Sequence, residues 1–237
     1  MLPMKFQIVS FGILLACGLG TVAAQDAETT LPEAYRLQFE NEWVKVVRVH
    51  YAPHVKLPSH AHTRLAAAYV YLSDAGPVVF RHVGAEYGSV TRPSVKAGTF
   101  RLFRAVGEMH EVENTSPLAS DFLRVEFKTK PLEEKMLRGR FPREAVAAGE
   151  NWDRVQFENA QLRVSRLVIA PGKSLDVVTG DAEPSLLVSL FPTPGHASGE
   201  TLWLPVSRSE RLTNRAFEPI EYLRFALRTP PIRNAAQ

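Results

Sequence analysis

Cysteine is nearly missing from this chain: Cys17 is the single one in 237 residues. It lies inside an apolar N-terminal stretch, so a chain cut downstream of it holds no thiol at all. A disulfide framework, a thiolate metal site and a cysteine nucleophile are then excluded, and histidine, carboxylate, hydroxyl and lysine chemistry remain. Polybasic blocks and low-complexity tracts are missing as well. Lys and Arg number 28 against 25 Asp and Glu, a net charge of +3, with the arginines scattered along the chain. That balance argues against nucleic acid and leaves a small-molecule ligand as the partner, an anionic one at most. Past the N-terminus no apolar run approaches the roughly 18 residues of a membrane-spanning helix.

The N-terminus itself has an export pattern. Lys5 precedes the run FQIVSFGILLACGLG, and Val22 and Ala24 take the small-residue positions before a cut between Ala24 and Gln25. Residues 1–24 are therefore expected to be a signal peptide, and the protein periplasmic or secreted. A second reading stays open. LLACG at Cys17 also reads as a lipoprotein-type cut, which would leave the protein lipid-anchored in the cell envelope.

The chain states its pattern twice. QFENEWVKVVRVHYAPHVKL from Gln38 matches QFENAQLRVSRLVIAPGKSL from Gln156, and in the same register Ala68–Leu72 falls on Leu186–Leu190. Further on, FLRVEFKTKP from Phe122 matches YLRFALRTPP from Tyr222, so the second copy has a shorter middle. Within each copy, short runs rich in Val, Phe and Tyr are broken by Pro, Gly, Asn, Ser or Asp at about ten-residue intervals. The fold class is therefore all-β, a sandwich or barrel in duplicate. Residues 31–131 form the first unit and 153–237 the second. Leu132–Trp152 joins them, its helix formers interrupted by Gly139 and Pro142, so a linker with one or two helical turns is expected.

Residue types that bind metal are concentrated in the first copy. His60 and His62 stand one residue apart in LPSHAHTRL. On a strand, side chains two apart leave the same face, with Cα atoms roughly 6.6 Å apart, and both imidazoles can reach one ion. His110 follows in GEMHEVENTS, with Gly107 three before it and Asn114 four after. A hairpin partner carrying His110 on its inner face would complete three imidazoles on one ion.

These two segments resemble the motifs of the cupin superfamily, Gly-x5-His-x-His-x(3,4)-Glu-x6-Gly and Gly-x5-Pro-x-Gly-x2-His-x3-Asn. The duplication resembles a bicupin, and the whole resembles small exported bacterial cupins. The resemblance implies two tandem jelly-roll barrels, with His60, His62 and His110 holding a divalent metal in the wide mouth of the first. Iron(II) or zinc suits an all-nitrogen set best, and copper or nickel also fits. The departures from the motifs are informative. Where the first motif has glutamate, Ala66 and Ala67 stand here, and the proline of the second motif is missing. No set of two histidines and a carboxylate can be assembled from the motif positions.

In the second copy His60 and His62 become Val178 and Gly180, and His110 becomes Glu210, while Asn114 stays as Asn214. One loaded and one empty barrel is the expectation, with Val178 a core valine and Asn114 serving a turn. A wet, open mouth would make His60 cheap to remove from the metal-free protein. Around the site, His50 and His54 read as rim residues and Glu111 as pointing away. Glu108 is the only carboxylate placed to reach the site. Either Arg81 or His82 turns inward: an inward Arg81 would hold a substrate carboxylate, and the alternative reading has His82 on the outside. Arg101 and Arg104 read as solvated, or as further anion contacts. Tyr69 or Tyr71 faces the pocket. Two functions stay open: an oxygenase or isomerase of a small anionic molecule, and a non-catalytic ligand- or metal-binding module of the envelope.

Overall fold

The computed structural model describes residues 27–84, 88–131, 137–145, 149–193 and 197–232. The signal peptide, its cut at Ala24 and the anchor site at Cys17 lie outside the described residues. One helical turn, α1 (Ala27–Thr30), precedes a succession of strands. In the first copy these are β1 (Tyr35–Glu40), β2 (Val44–Tyr51), β3 (Lys56–His62), β4 (Ala66–Tyr71), β5 (Val78–His82), β6 (Ser89–Arg92), β7 (Phe100–Phe103), β8 (Glu108–Asn114) and β9 (Ser120–Phe127). They pair antiparallel into two facing sheets, β1-β2-β9-β4-β7 and β3-β8-β5-β6.

Gly139–Phe141, here β10, adds to the open edge of β7 and makes the first sheet six-stranded. The expected linker is therefore partly strand, and its described residues contain no helix. Phe141 stacks on Phe100 at 4.5 Å between ring centroids, which ties the segment to the sheet.

The second copy follows as β11 (Trp152–Glu158), β12 (Leu162–Ile169), β13 (Ser174–Val178), β14 (Ser185–Ser189), β15 (Thr201–Leu204), β16 (Ser209–Thr213) and β17 (Ile220–Leu227). Its large sheet runs β11-β12-β17-β14-β15, and β13 pairs with β16 as a small second sheet. The repeated asparagines explain why the two copies turn alike. Asn41 and Asn159 each accept two backbone N–H bonds where the first hairpin closes. Asn114 donates to the carbonyls of Ala52 and Leu118, and Asn214 likewise to those of Ile169 and Glu218. Asn114 thus serves its turn, as expected.

Strand β4 shows how the copies join. Its residues AAAYVY are all buried because the strand has two covered faces. Ala67, Tyr69 and Tyr71 look into the first copy's interior. Ala66, Ala68 and Val70 look the other way, into a core shared with Leu162, Val164, Leu186, Val188 and Phe225 of the second copy. The two large sheets therefore pack face to face, and continuous apolar runs replace strict alternation in their central strands.

Candidate metal centre

A bulge puts the histidines where they are. In the β3–β8 pair, Leu57 faces Val112 and His60 faces His110, so Pro58 and Ser59 together oppose a single residue. Pro58 has no N–H to give to the ladder, which makes it a natural place for the pairing to slip. Without the extra residue Ser59 and Ala61 would share the inner face with Leu57. With it, His60 and His62 do. His110 arrives from β8 by plain alternation, since Glu108, His110 and Val112 are all buried.

The three imidazoles meet inside the first copy. Their ligand nitrogens lie within 4.8 Å of one another, and their ring centroids are 4.9–5.0 Å apart. His60 and His110 are buried, with 5% and 2% of their surface exposed, so the centre is not the open mouth expected from the sequence. Both ring nitrogens of His110 are buried without a hydrogen-bond partner. Leaving such a group unsatisfied costs about 1–3 kcal/mol, and an ion that takes the lone pair removes that cost. Burial also keeps these rings neutral, as ligands must be. Desolvation lowers His110 to about 2, helped by His60, Arg92, His82 and Arg124. Desolvation, then Arg124, holds His62 well below the usual value, and desolvation lowers His60 too. The residues present fit a divalent transition metal.

A second set adjoins the first through His110. His82, Glu108 and His110 also bring ligand atoms within 4.8 Å of one another, and His82 Nε2 lies 3.9 Å from Glu108 Oε1. Glu108 is thus the carboxylate within reach, as its alternation on β8 implied. The expectation for β5 fails. His82 turns inward, and Arg81 points out to Glu113 at 2.6 Å. The ladder gives the reason: Arg81 pairs with the exposed Glu111, and His82 with His110 on the inner face.

Other residues fall as follows. His50 bonds Asp121 on the outside and His54 stands in an exposed turn, so neither reaches the centre. Tyr69 and Tyr71, two apart on β4, both face inward rather than one of them. Arg104 is exposed. Arg101 is half-buried and lines a cavity of about 360 Å³ with Arg92, Arg138 and Arg140. Arg92 lies 3.9 Å over the Phe80 ring and 4.9 Å from that of Tyr69, which carries its charge into the interior. Arg124, buried, pairs with Glu126 at 2.8 Å.

Sequence reasoning missed Tyr35, Arg92 and Arg124. Tyr35 is buried, with its hydroxyl 2.7 Å from His60 Nε2 and 2.8 Å from the Tyr51 hydroxyl. Burial raises the pKa of both phenols, so both are neutral. No motif marks these residues; only the alternation of β1 and β9 hinted at inward faces.

Among the described residues of the second copy there is no such centre. Its small sheet keeps strict register, so Val177, not Val178, faces Glu210 where His60 faces His110. Val178 is 60% exposed, which overturns its reading as a core valine. Leu167, Ile169, Val177, Leu187, Leu204 and Leu212 fill that interior. Among the described residues, every histidine–carboxylate cluster able to hold a metal belongs to the first copy.

No family model matches the chain, and no curated protein matches it. Solved structures do. YhhW from Escherichia coli is 15% identical over 84% of this chain and 90% of its own, with a TM-score of 0.54. AerE from Microcystis aeruginosa is 12% identical over 82% of this chain and 97% of its own, with a TM-score of 0.51. A cupin domain protein from Bordetella pertussis Tohama I is 26% identical over 39% of this chain and 90% of its own, with a TM-score of 0.33. The paired antiparallel sheets, their duplication and the likeness to YhhW and AerE show the fold: two tandem jelly-roll units, all-β, spanning most of the chain.

Proposed function

We propose that this protein is an exported bicupin that holds one divalent transition metal, iron(II) or zinc, on His60, His62 and His110. In this reading it is an oxygenase or isomerase of a small anionic molecule. The observation that carries it is the meeting of three neutral imidazoles, two buried and one half-buried, one of them with no hydrogen-bond partner for either nitrogen. Once bound, such an ion supplies a Lewis acid or a redox centre. The chain's own residues do the rest. Arg92 presents its guanidinium beside Phe80 and Tyr69, with the Glu108 carboxylate acting on it only through space, so it can anchor a substrate carboxylate. The arginine-lined cavity next to it draws anions toward the interior. The buried Glu108, beside His82, is placed to hold or pass a proton.

The second copy favours another reading, a ligand- or metal-binding module of the envelope without turnover. Its interior, filled by apolar side chains, fits a fold that serves as scaffold beside the site. Metal analysis of the mature protein, followed by an oxygen-consumption screen with small carboxylates and phenols, separates the two. Stoichiometric metal with turnover supports the enzyme. Stoichiometric metal without turnover supports the binding module, and metal-free protein after anaerobic purification refutes both metal readings. Release of the chain into the periplasm or medium, against retention in the membrane fraction, tests the signal-peptide reading against the Cys17 anchor.

A further inference from the structure

We infer that Tyr35 is a fourth protein ligand of the ion at His60, His62 and His110, an assignment that rests on the metal reading above. The hydrogen bonds around His60 settle its tautomer. Nδ1 lies 2.9 Å from the Pro58 carbonyl, which can only accept, so Nδ1 carries the proton. Nε2 therefore presents its lone pair, and the Tyr35 hydroxyl donates to it at 2.7 Å. The Tyr51 hydroxyl in turn donates to the Tyr35 oxygen at 2.8 Å. Nδ1 bound to a backbone carbonyl and Nε2 open is the tautomer that a metal-ligating histidine needs.

An ion that takes the Nε2 lone pair displaces the Tyr35 proton, and the phenol has nowhere to withdraw. Tyr35 is 2% exposed, and its ring packs against His60 and His62 with centroids 5.0 and 5.3 Å away. Two ligands side by side on an octahedral ion, with bonds of about 2.0–2.1 Å, lie about 2.9 Å apart. The Tyr35 oxygen, 2.7 Å from Nε2, already stands near that separation. On binding, the phenol O–H bond breaks, its proton leaves to solvent, and an oxygen–metal bond forms without change of oxidation state. Tyr51 keeps its donated bond, now to a phenolate. The new negative charge offsets part of the positive charge that the ion adds beside Arg92 and Arg124.

The test uses the mature protein, stripped of metal and then loaded with iron(III) from a weak chelate. Phenolate bound to iron(III) gives a visible charge-transfer band and tyrosinate modes in resonance Raman spectra. Loaded wild type should show both. Tyr35→Phe should still take up iron through three imidazoles, about ten- to a hundredfold more weakly, and should lose both signals. Tyr51→Phe should keep the band at a shifted energy, because only the Tyr35 oxygen accepts from Tyr51, and this variant decides the matter if Tyr35→Phe fails to fold. Iron-loaded wild type without the band, or a band that survives in Tyr35→Phe, overturns the assignment alone. Wild type that takes up no iron overturns it together with the metal reading.

Discussion

His60 is held from both sides, by the Pro58 carbonyl at 2.9 Å and the Tyr35 hydroxyl at 2.7 Å. His60→Ala should abolish metal binding. It should also destabilise the metal-free protein by about 1–3 kcal/mol, because the buried Tyr35 hydroxyl loses its acceptor. That exceeds the ±0.5 kcal/mol or so of a surface change, which a wet mouth would have implied. Urea unfolding with and without added zinc measures both effects, the holo protein losing in addition the ion's own stabilisation. Acid should act on the same residues. His60, His62 and His110 are all lowered from 6.5, His110 to about 2, mainly by desolvation. Below 6.5 the unfolded chain binds protons that the folded centre refuses, where Arg92, Arg124 and His82 also face these rings. Stability of the metal-free protein should be full above 6.5 and decline as pH falls, by up to about 1.4 kcal/mol per pH unit for each ring. A urea midpoint that does not move between neutral and acid pH contradicts this.

At the scale of strands, one inserted residue distinguishes a site from a scaffold. The copies share the bulge in their first strand, at Leu37/Phe39 and Val155/Phe157. Only β3 has the second bulge, at Leu57/His60. Because side chains alternate with period two, that single slip exchanges the inner and outer sets. Val177→Ala should therefore cost about 1–3 kcal/mol through lost packing, and Val178→Ala about 0.5 kcal/mol or less. Neither should change metal content. Thermal unfolding of the two variants decides it, and equal losses would refute the register.

Across the whole molecule, the shared core makes the two copies one folding unit. Arg166, fully buried in the second copy, donates to Glu221 at 3.0 Å and to the Gly98 carbonyl of the first copy at 2.6 Å. Gly98 has φ of +79°, and a Cβ there would meet Phe191 at 3.1 Å and Arg143 at 3.2 Å, so the close approach needs glycine. Arg166→Ala should cost about 3 kcal/mol, the low end for a broken buried pair, since Arg143 still bonds Glu221. Chemical denaturation should show one cooperative transition in both wild type and variant. Two separated transitions would show that the copies unfold independently.

Duplication, the all-β class and the three histidines were legible in the residues, because strand alternation and turn asparagines are local signals that survive in both copies. The pairing of the His60 strand with the His110 strand was expected, but as a hairpin; β3 and β8 instead pair across the four strands that lie between them in the chain. The parity of β3 was not legible, because a bulge depends on which residues the partner strand offers. The same slip moved the core position of the second copy from Val178 to Val177. Gly139–Phe141 became strand, not helix, because β7 had an open edge and Phe100 a face for Phe141. Tyr35, His82, Arg92 and Arg124 reach the centre from four separate strands. Their convergence is a property of sheet curvature and packing, and no spacing along the chain encodes it.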